Sequence, residues 1–257
     1  MRNELEIRNL DVFYKKRHIV KNIGLTMGTK EFNALLGRNG CGKTTLLKGI
    51  LGLIKTEGNI LLNGASIPTL GVKEKAKSIG YISQRTDVTY SIGVKDLILM
   101  GLNPHLGTFE QIDKHQELKV IDIAKELGIE KFLNKDYLTL SEGQKQLVII
   151  ARAIVQDASL LLLDEPDSAM DFVVRHIILQ KLKEILILHN KMALITMHDP
   201  NFALSYCDNI FLMKDGGLLE TIRVKEDGIK EIKRKLRLIY GEIDLIEYKG
   251  SFYMVKA

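Results

Sequence analysis

The segment Gly37-Arg38-Asn39-Gly40-Cys41-Gly42-Lys43-Thr44 constrains this chain more than any other. It fits the phosphate-binding loop pattern G-x-x-x-x-G-K-[ST], which does its work only between a strand and a helix. Both flanks are present. Glu31 to Leu36 reads as a strand, and Thr44 to Leu53 as a helix. Glycines let successive backbone N–H groups turn inward around an anion, and the helix adds the positive end of its dipole. Lys43 supplies a mobile charge for the outer phosphates. The Thr44 hydroxyl suits Mg²⁺, a hard cation that takes oxygen ligands. A glycine-rich turn can match such a pattern by chance, but the strand–loop–helix order argues for an α/β fold that binds a nucleotide.

The other segments agree with that fold. Leu160 to Leu163 is an unbroken apolar run ending in Asp164, the pattern of a parallel strand covered on both faces. Met192 to Met197 reads as another buried strand. Asn59 to Leu62 and Ser78 to Ile82 read as short strands, and Glu4 to Tyr14 as an edge or half-exposed strand. Helical periodicity runs from Val94 to about Gly128, broken at Gly101 and Pro104, then from Gln144 to Val155 and from Asp171 to His189. Asn209 to Met213 and Leu218 to Ile222 flank Asp215-Gly216-Gly217, a hairpin turn signal. Strands alternating with helices predict a parallel α/β core. Beyond Arg223 the chain is highly charged. Val224 to Lys235 reads as a helix, and Ile243 to Tyr248 and Ser251 to Val255 as strands. These form a small C-terminal appendage, 223–257, after a main domain at 1–222.

Composition excludes several classes. The chain is 46% apolar and 27% charged, as expected of a globular protein. Its net charge of +5 comes without a basic tract interleaved with aromatics, so no nucleic-acid partner is expected. Two distant cysteines make no disulfide framework and fit a reducing compartment. The first residues lack the apolar stretch of a signal peptide, and no apolar run approaches the ~20 residues of a membrane helix. The expectation is a soluble protein whose role at a membrane, if any, needs a partner.

Two further segments carry chemistry. In Leu160 to Pro166, LLLLDEP, a buried strand delivers Asp164 to hold Mg²⁺ and Glu165 to polarise an attacking water. In Leu140-Ser141-Glu142-Gly143-Gln144, a hydroxyl, backbone N–H groups and an amide suit a phosphate chain. One chain already has a phosphate loop, so the second loop implies a second copy of the protein.

The order of these segments, with Gln84 after Tyr81-Ile82 and His198 after Ala193 to Met197, resembles an ATP-binding cassette (ABC) ATPase along almost the full chain. LSEGQ is close to that family's LSGGQ signature. The resemblance implies a P-loop NTPase core with a mainly parallel sheet, an N-terminal antiparallel β subdomain and a helical subdomain at about 86–156 carrying the signature. It also assigns roles. Gly37, Asn39, Gly40, Cys41, Gly42, Lys43, Thr44 and Thr45 hold ATP, and Tyr14 stacks on adenine. Ser141, Gly143 and Gln144 reach the ATP of a partner copy. Thr44, Gln84 and Asp164 serve Mg²⁺, and Glu165, His198, Gln84 and Lys43 serve hydrolysis. Ser168-Ala169-Met170-Asp171 resembles the loop that crosses the dimer interface.

Departures are few. Glu142 stands where the signature has glycine, and a carboxylate near a triphosphate is costly unless it points away. Asp167 replaces the usual Thr. Cys41 is either a small filler or, beside Lys43 and a helix N-terminus, a reactive thiolate; a maleimide is then expected to label it, with MgATP protecting. Asp96 to Gly107, containing LMGLNPHLG, and Thr196-Met197-His198-Asp199 resemble importer ATPases for iron-siderophores, heme and cobalamin. Molybdate and tungstate importers share much of this pattern. Leu, Met and Pro exposed in that region would receive a membrane subunit. The resemblance thus implies a homodimer closing on ATP at the inner face of the cell membrane, with separate permease subunits and an external substrate-binding protein. A soluble ABC ATPase, such as one for cluster assembly, is the alternative.

Overall fold

The computed structural model describes residues 4–84, 88–107, 110–166 and 170–257. Asp167, Ser168 and Ala169, and with them the first half of the expected interface loop, lie outside the described residues. In chain order, β1 (Glu4–Tyr14), β2 (Arg17–Gly28), β3 (Phe32–Leu36), α1 (Lys43–Ile50), β4 (Thr56–Leu62) and β5 (Ala65–Ser66) come first. Next are α2 (Val72–Ser78), β6 (Ile79–Ile82), α3 (Val94–Leu99), α4 (Lys114–Glu126), α5 (Glu142–Val155), β7 (Leu160–Asp164) and α6 (Phe172–Leu188). The chain closes with β8 (Met192–Met197), α7 (Pro200–Tyr206), β9 (Asn209–Lys214), β10 (Gly217–Arg223), α8 (Ile229–Tyr240), β11 (Ile243–Tyr248) and β12 (Ser251–Lys256).

The chain divides into two compact units, one of residues 1–70 with 186–257 and one of residues 71–185. In the first, β2-β1-β4-β5 form an antiparallel sheet. Strand β3, buried at every residue, lies parallel between β8 and β9, with Leu36 opposite Met197 and Leu212. Burial on both faces explains the mainly apolar β3 and β8, and the polar Asn33 within β3 is buried with its amide donating to the Ala193 carbonyl at 3.3 Å. Asp215 (φ 49°) and Gly216 (φ 84°) form the two-residue turn into β10, and left-handed values at both positions mark a type I′ hairpin. In the second unit β6 and β7 are parallel, with Ile82 opposite Leu163, and α3 to α5 pack together. Among the described residues no helix is long and apolar enough to cross a membrane.

Several boundaries shift for local reasons. Helix α1 ends at Ile50 rather than Leu53. Gly52 (φ 71°) turns the chain while Leu53 N–H returns to the Lys48 carbonyl, a Schellman stop. Helix α5 begins two residues before Gln144, because Ser141 caps it. The appendage helix runs from Ile229 to Tyr240, not from Val224 to Lys235. Asp227 accepts from Arg223 N–H in a turn, Gly228 is the N-cap, and Gly241 (φ 74°) stops the helix.

Candidate functional site

The phosphate loop is built by its floor. Strand β3 delivers Gly37 into a place where any Cβ would collide with the Met213 carbonyl oxygen. The β9–β10 turn lies against the loop, with Gly216 N–H donating to the Cys41 carbonyl at 3.1 Å. Gly40 (φ 79°) and Gly42 (φ 109°) adopt conformations that side chains resist, and Gly42 leads directly into α1. Arg38, Asn39 and Gly40 are exposed, Cys41 to Lys43 buried, and Thr44 and Thr45 partly so.

Lys43 lies 5% exposed, its ammonium donating to the Gly37 carbonyl at 2.9 Å. The charge is thus stored inside the loop. Because β3 and β8 are neighbouring parallel strands, His198 emerges beside the loop, with Nδ1 3.5 Å from the Lys43 ammonium. Tyr14 ends β1 with its ring half exposed, open to a stacking partner.

The second unit repeats the device. Gln84 and Glu165 each follow the C-terminal end of a parallel strand by two residues or fewer, and Gln84 Nε2 donates to Glu165 Oε2 at 2.9 Å. Glu165 holds φ 47°, a left-handed conformation that costs an L-residue about 1–2 kcal/mol. Asp164 is buried, and the Tyr81 hydroxyl hydrogen-bonds to it. Burial and then the Asp164 charge push the Tyr81 pKa up to about 12, so Tyr81 remains a donor. The sequence reading missed Tyr81. Its signal was strand parity: Tyr81 pairs with Leu162, and Asp164 is two residues on, on the same face.

The signature residues are together as well. Ser141 Oγ accepts from Gln144 N–H at 3.4 Å while Gln144 Oε1 accepts from Ser141 N–H at 3.1 Å, a reciprocal capping box. Glu142 points into solvent and pairs with Lys145 at 2.8 Å, which relieves the conflict expected of a carboxylate here. A Cβ at Gly143 would meet Val174 Cγ1 at 2.7 Å, so glycine lets α5 approach α6.

Of the two readings of Cys41, the structure favours the small filler over the reactive thiolate. Cys41 is 8% exposed and lies beneath the loop, where a Cβ on Gly37 would reach its Sγ at 2.7 Å. Desolvation pushes its pKa up, and Lys43 only partly opposes this. The stretch after Gln84 is also less exposed than expected. Leu97, Leu99 and Leu102 are buried, and a Cβ at Gly101 would strike the Arg152 carbonyl of α5. Among the described residues of this stretch, Tyr90 and Met100 are the large apolar side chains exposed at the surface.

What the chain resembles agrees with this geometry. The ABC transporter family profile matches residues 20–168. An uncharacterized ABC transporter ATP-binding protein of Methanocaldococcus jannaschii is 36% identical over 95% of this chain and 93% of its own. A Helicobacter pylori protein named as a probable iron chelatin transport ATP-binding protein is 32% identical over 82% of this chain and 84% of its own. Other relatives carry manganese and molybdate transport names. Among solved structures, a chain of an inward-facing ABC transporter assigned to the metal-chelate type superposes with a TM-score of 0.81, at 26% identity, over 99% of this chain and 96% of that one. With its phosphate loop, signature and acidic strand end in the family's order, the chain belongs to the ABC transporter family as an ATP-binding, ATP-hydrolysing subunit.

Proposed function

We propose that this ATPase drives an importer, closing as a homodimer around two ATP molecules beneath a separate permease and powering uptake of a metal chelate. The observation that carries the hydrolytic part is the Gln84–Glu165 hydrogen bond, which holds an amide and a carboxylate together beyond the ends of two neighbouring parallel strands. A water held there would lose its proton toward Glu165 as it attacks the γ-phosphate, with Lys43 and His198 stabilising the charge that develops. The oxygen donors of Thr44, Asp164 and Gln84 suit Mg²⁺. Among the described residues no cluster of three acids, histidines or cysteines forms a cage of its own. That fits an ion completed by nucleotide phosphates, whose charge it neutralises when bound.

The importer and chelate readings rest on the Helicobacter relative, on the metal-chelate transporter neighbour, and on the LMGLNPHLG segment. The molybdate-named relative keeps molybdate or tungstate as a second substrate class. In this reading the subunit works with an external binding protein as well as the permease, at the cytoplasmic face of the membrane.

Glu165→Gln tests the mechanism. Turnover is expected to fall at least about 10²-fold, the contribution of a general base. ATP should still bind and should accumulate a dimer visible by light scattering. A strict monomer under those conditions rules the homodimer out. Co-purification with a multispanning permease separates the importer from a soluble ATPase.

A further inference from the structure

We propose that Gly216, in the β9–β10 turn, is a positioning residue for bound nucleotide: its N–H fixes the Cys41–Gly42 peptide so that the Gly42 N–H faces the phosphates. The proposal rests on the reading of residues 37–44 as the ATP-binding loop, and deepens it by naming what aims one of the loop's donors.

Topology brings the turn to the loop. Strands β3 and β9 run parallel, with Leu36 opposite Leu212, so both leave the sheet at the same end. One continues as Gly37 into the phosphate loop, the other into the Asp215–Gly216 turn. Asp215 is exposed, whereas Gly216 is buried. The Gly216 N–H donates to the Cys41 carbonyl at 3.1 Å. That carbonyl and the Gly42 N–H belong to one planar trans peptide, in which the two groups point in opposite directions. A carbonyl held toward the turn therefore sends the Gly42 N–H away from the floor, toward the side left for an anion. Gly42 itself rests on the same floor, where a Cβ would meet Met213 Cε at 2.9 Å and Val20 Cγ2 at 3.4 Å.

The turn has a second hold on its far side. Strand β2 is the outer strand of its sheet, so its outward backbone groups can serve a neighbour. Lys21 N–H of β2 donates to the Gly216 carbonyl at 2.8 Å. Strand β2 is paired along β1, with Val20 opposite Val12, so the turn is fixed to a whole sheet. One residue thus accepts from β2 and donates to the loop. Glycine suits both tasks. The φ of Gly216 is 84°, and a Cβ there would stand 2.1 Å from the Ile19 carbonyl oxygen, a backbone atom that cannot swing aside. The Asp215–Gly216 pair, a hairpin signal in the sequence, therefore has a second reason to end in glycine. Gly216 acts through the Cys41–Gly42 peptide and not by touching nucleotide.

The chain has two cysteines, and of these Cys41 alone precedes a glycine. Labelling with carbonyl-¹³C cysteine and ¹⁵N glycine therefore gives one NMR peak that reports the Cys41 carbonyl and the Gly42 amide together. That peak is followed in the full wild-type chain and in Gly216→Ala, with tripolyphosphate and with MgATP, beside affinities from calorimetry. In the wild type both ligands should move the Gly42 amide. Gly216→Ala should displace the Cys41 carbonyl signal before ligand is added and shrink the Gly42 shift at saturation. It should also weaken both ligands alike, about 10-fold, the size of one lost hydrogen bond to a charged group. Should it not fold, Lys21→Pro removes the β2 donor, on an edge strand where proline is tolerated, and is read by the same signs. A Gly42 amide that stays in place while the wild-type chain binds either ligand overturns the proposal. So does a folded variant with an unmoved carbonyl signal or with affinities within twofold of the wild type. A full Gly42 shift at saturation in the variant marks a merely structural glycine and overturns it too. If the wild-type chain binds neither ligand, the ATP-binding reading itself fails and the proposal falls with it.

Discussion

The phosphate loop and the signature loop both lead into helix N-termini, yet they are built differently. No side chain caps α1, and Cys41 to Lys43 are buried over the β9–β10 turn, so the first-turn N–H groups face a prepared cradle. Helix α5 is capped by its own Ser141 and Gln144, and Ser141 and Glu142 are exposed. The phosphate loop is built within a single chain. The signature loop has its capping bonds satisfied internally, and in the homodimer proposed above it would exchange them for a ligand that a second copy brings.

The sharpest way to break that contrast is nucleotide affinity in dilute, monomeric protein. Lys43→Ala should weaken ATP binding about 100-fold, the order expected when a buried charge-assisted contact is lost. Ser141→Ala should leave it within about twofold and lower only the ATPase rate at high protein concentration, besides about 1 kcal/mol of helix capping. Equal losses in a fluorescent-nucleotide titration refute the distinction.

Stability separates the loops next. Gly37→Ala forces a methyl group into the Met213 carbonyl and should cost about 3 kcal/mol, seen in denaturant unfolding. Gly143→Ala meets only a side chain, Val174. Its helix-propensity gain of about 1 kcal/mol offsets the crowding, so little net change is expected. The smallest effect concerns Cys41. Maleimide labelling should be slow with or without MgATP, and should quicken only above the ordinary thiol range, because burial raises its pKa. Fast labelling at neutral pH would show the loop floor to be open.

The strands and the phosphate loop were readable in the sequence because each carries a local pattern. Leu160 to Leu163 is unbroken because β7 is covered on both faces, and Asp215-Gly216 names its own turn. Ser141 and Gln144 also match the S-x-x-Q cap, but a reading that looked for phosphate ligands passed over it. Tyr81 and Tyr240 were not readable. Their partners, Asp164 and the His198 carbonyl, are set by strand pairing and by the docking of α8, and neither leaves a periodic mark. Leu97, Leu99 and Leu102 show the converse limit. An apolar run tells that a helix is partly buried, but not whether its cover is α5 or another protein.

The left-handed backbone at Glu165 has one more consequence. Glycine would fit that conformation with less strain than glutamate, at the loss of the Gln84 hydrogen bond. On the role proposed for Glu165, the residue that suits this backbone best is one that removes the reacting carboxylate. Folding and turnover then want opposite things at this position, and a search for stabilising substitutions would run toward inactivation there.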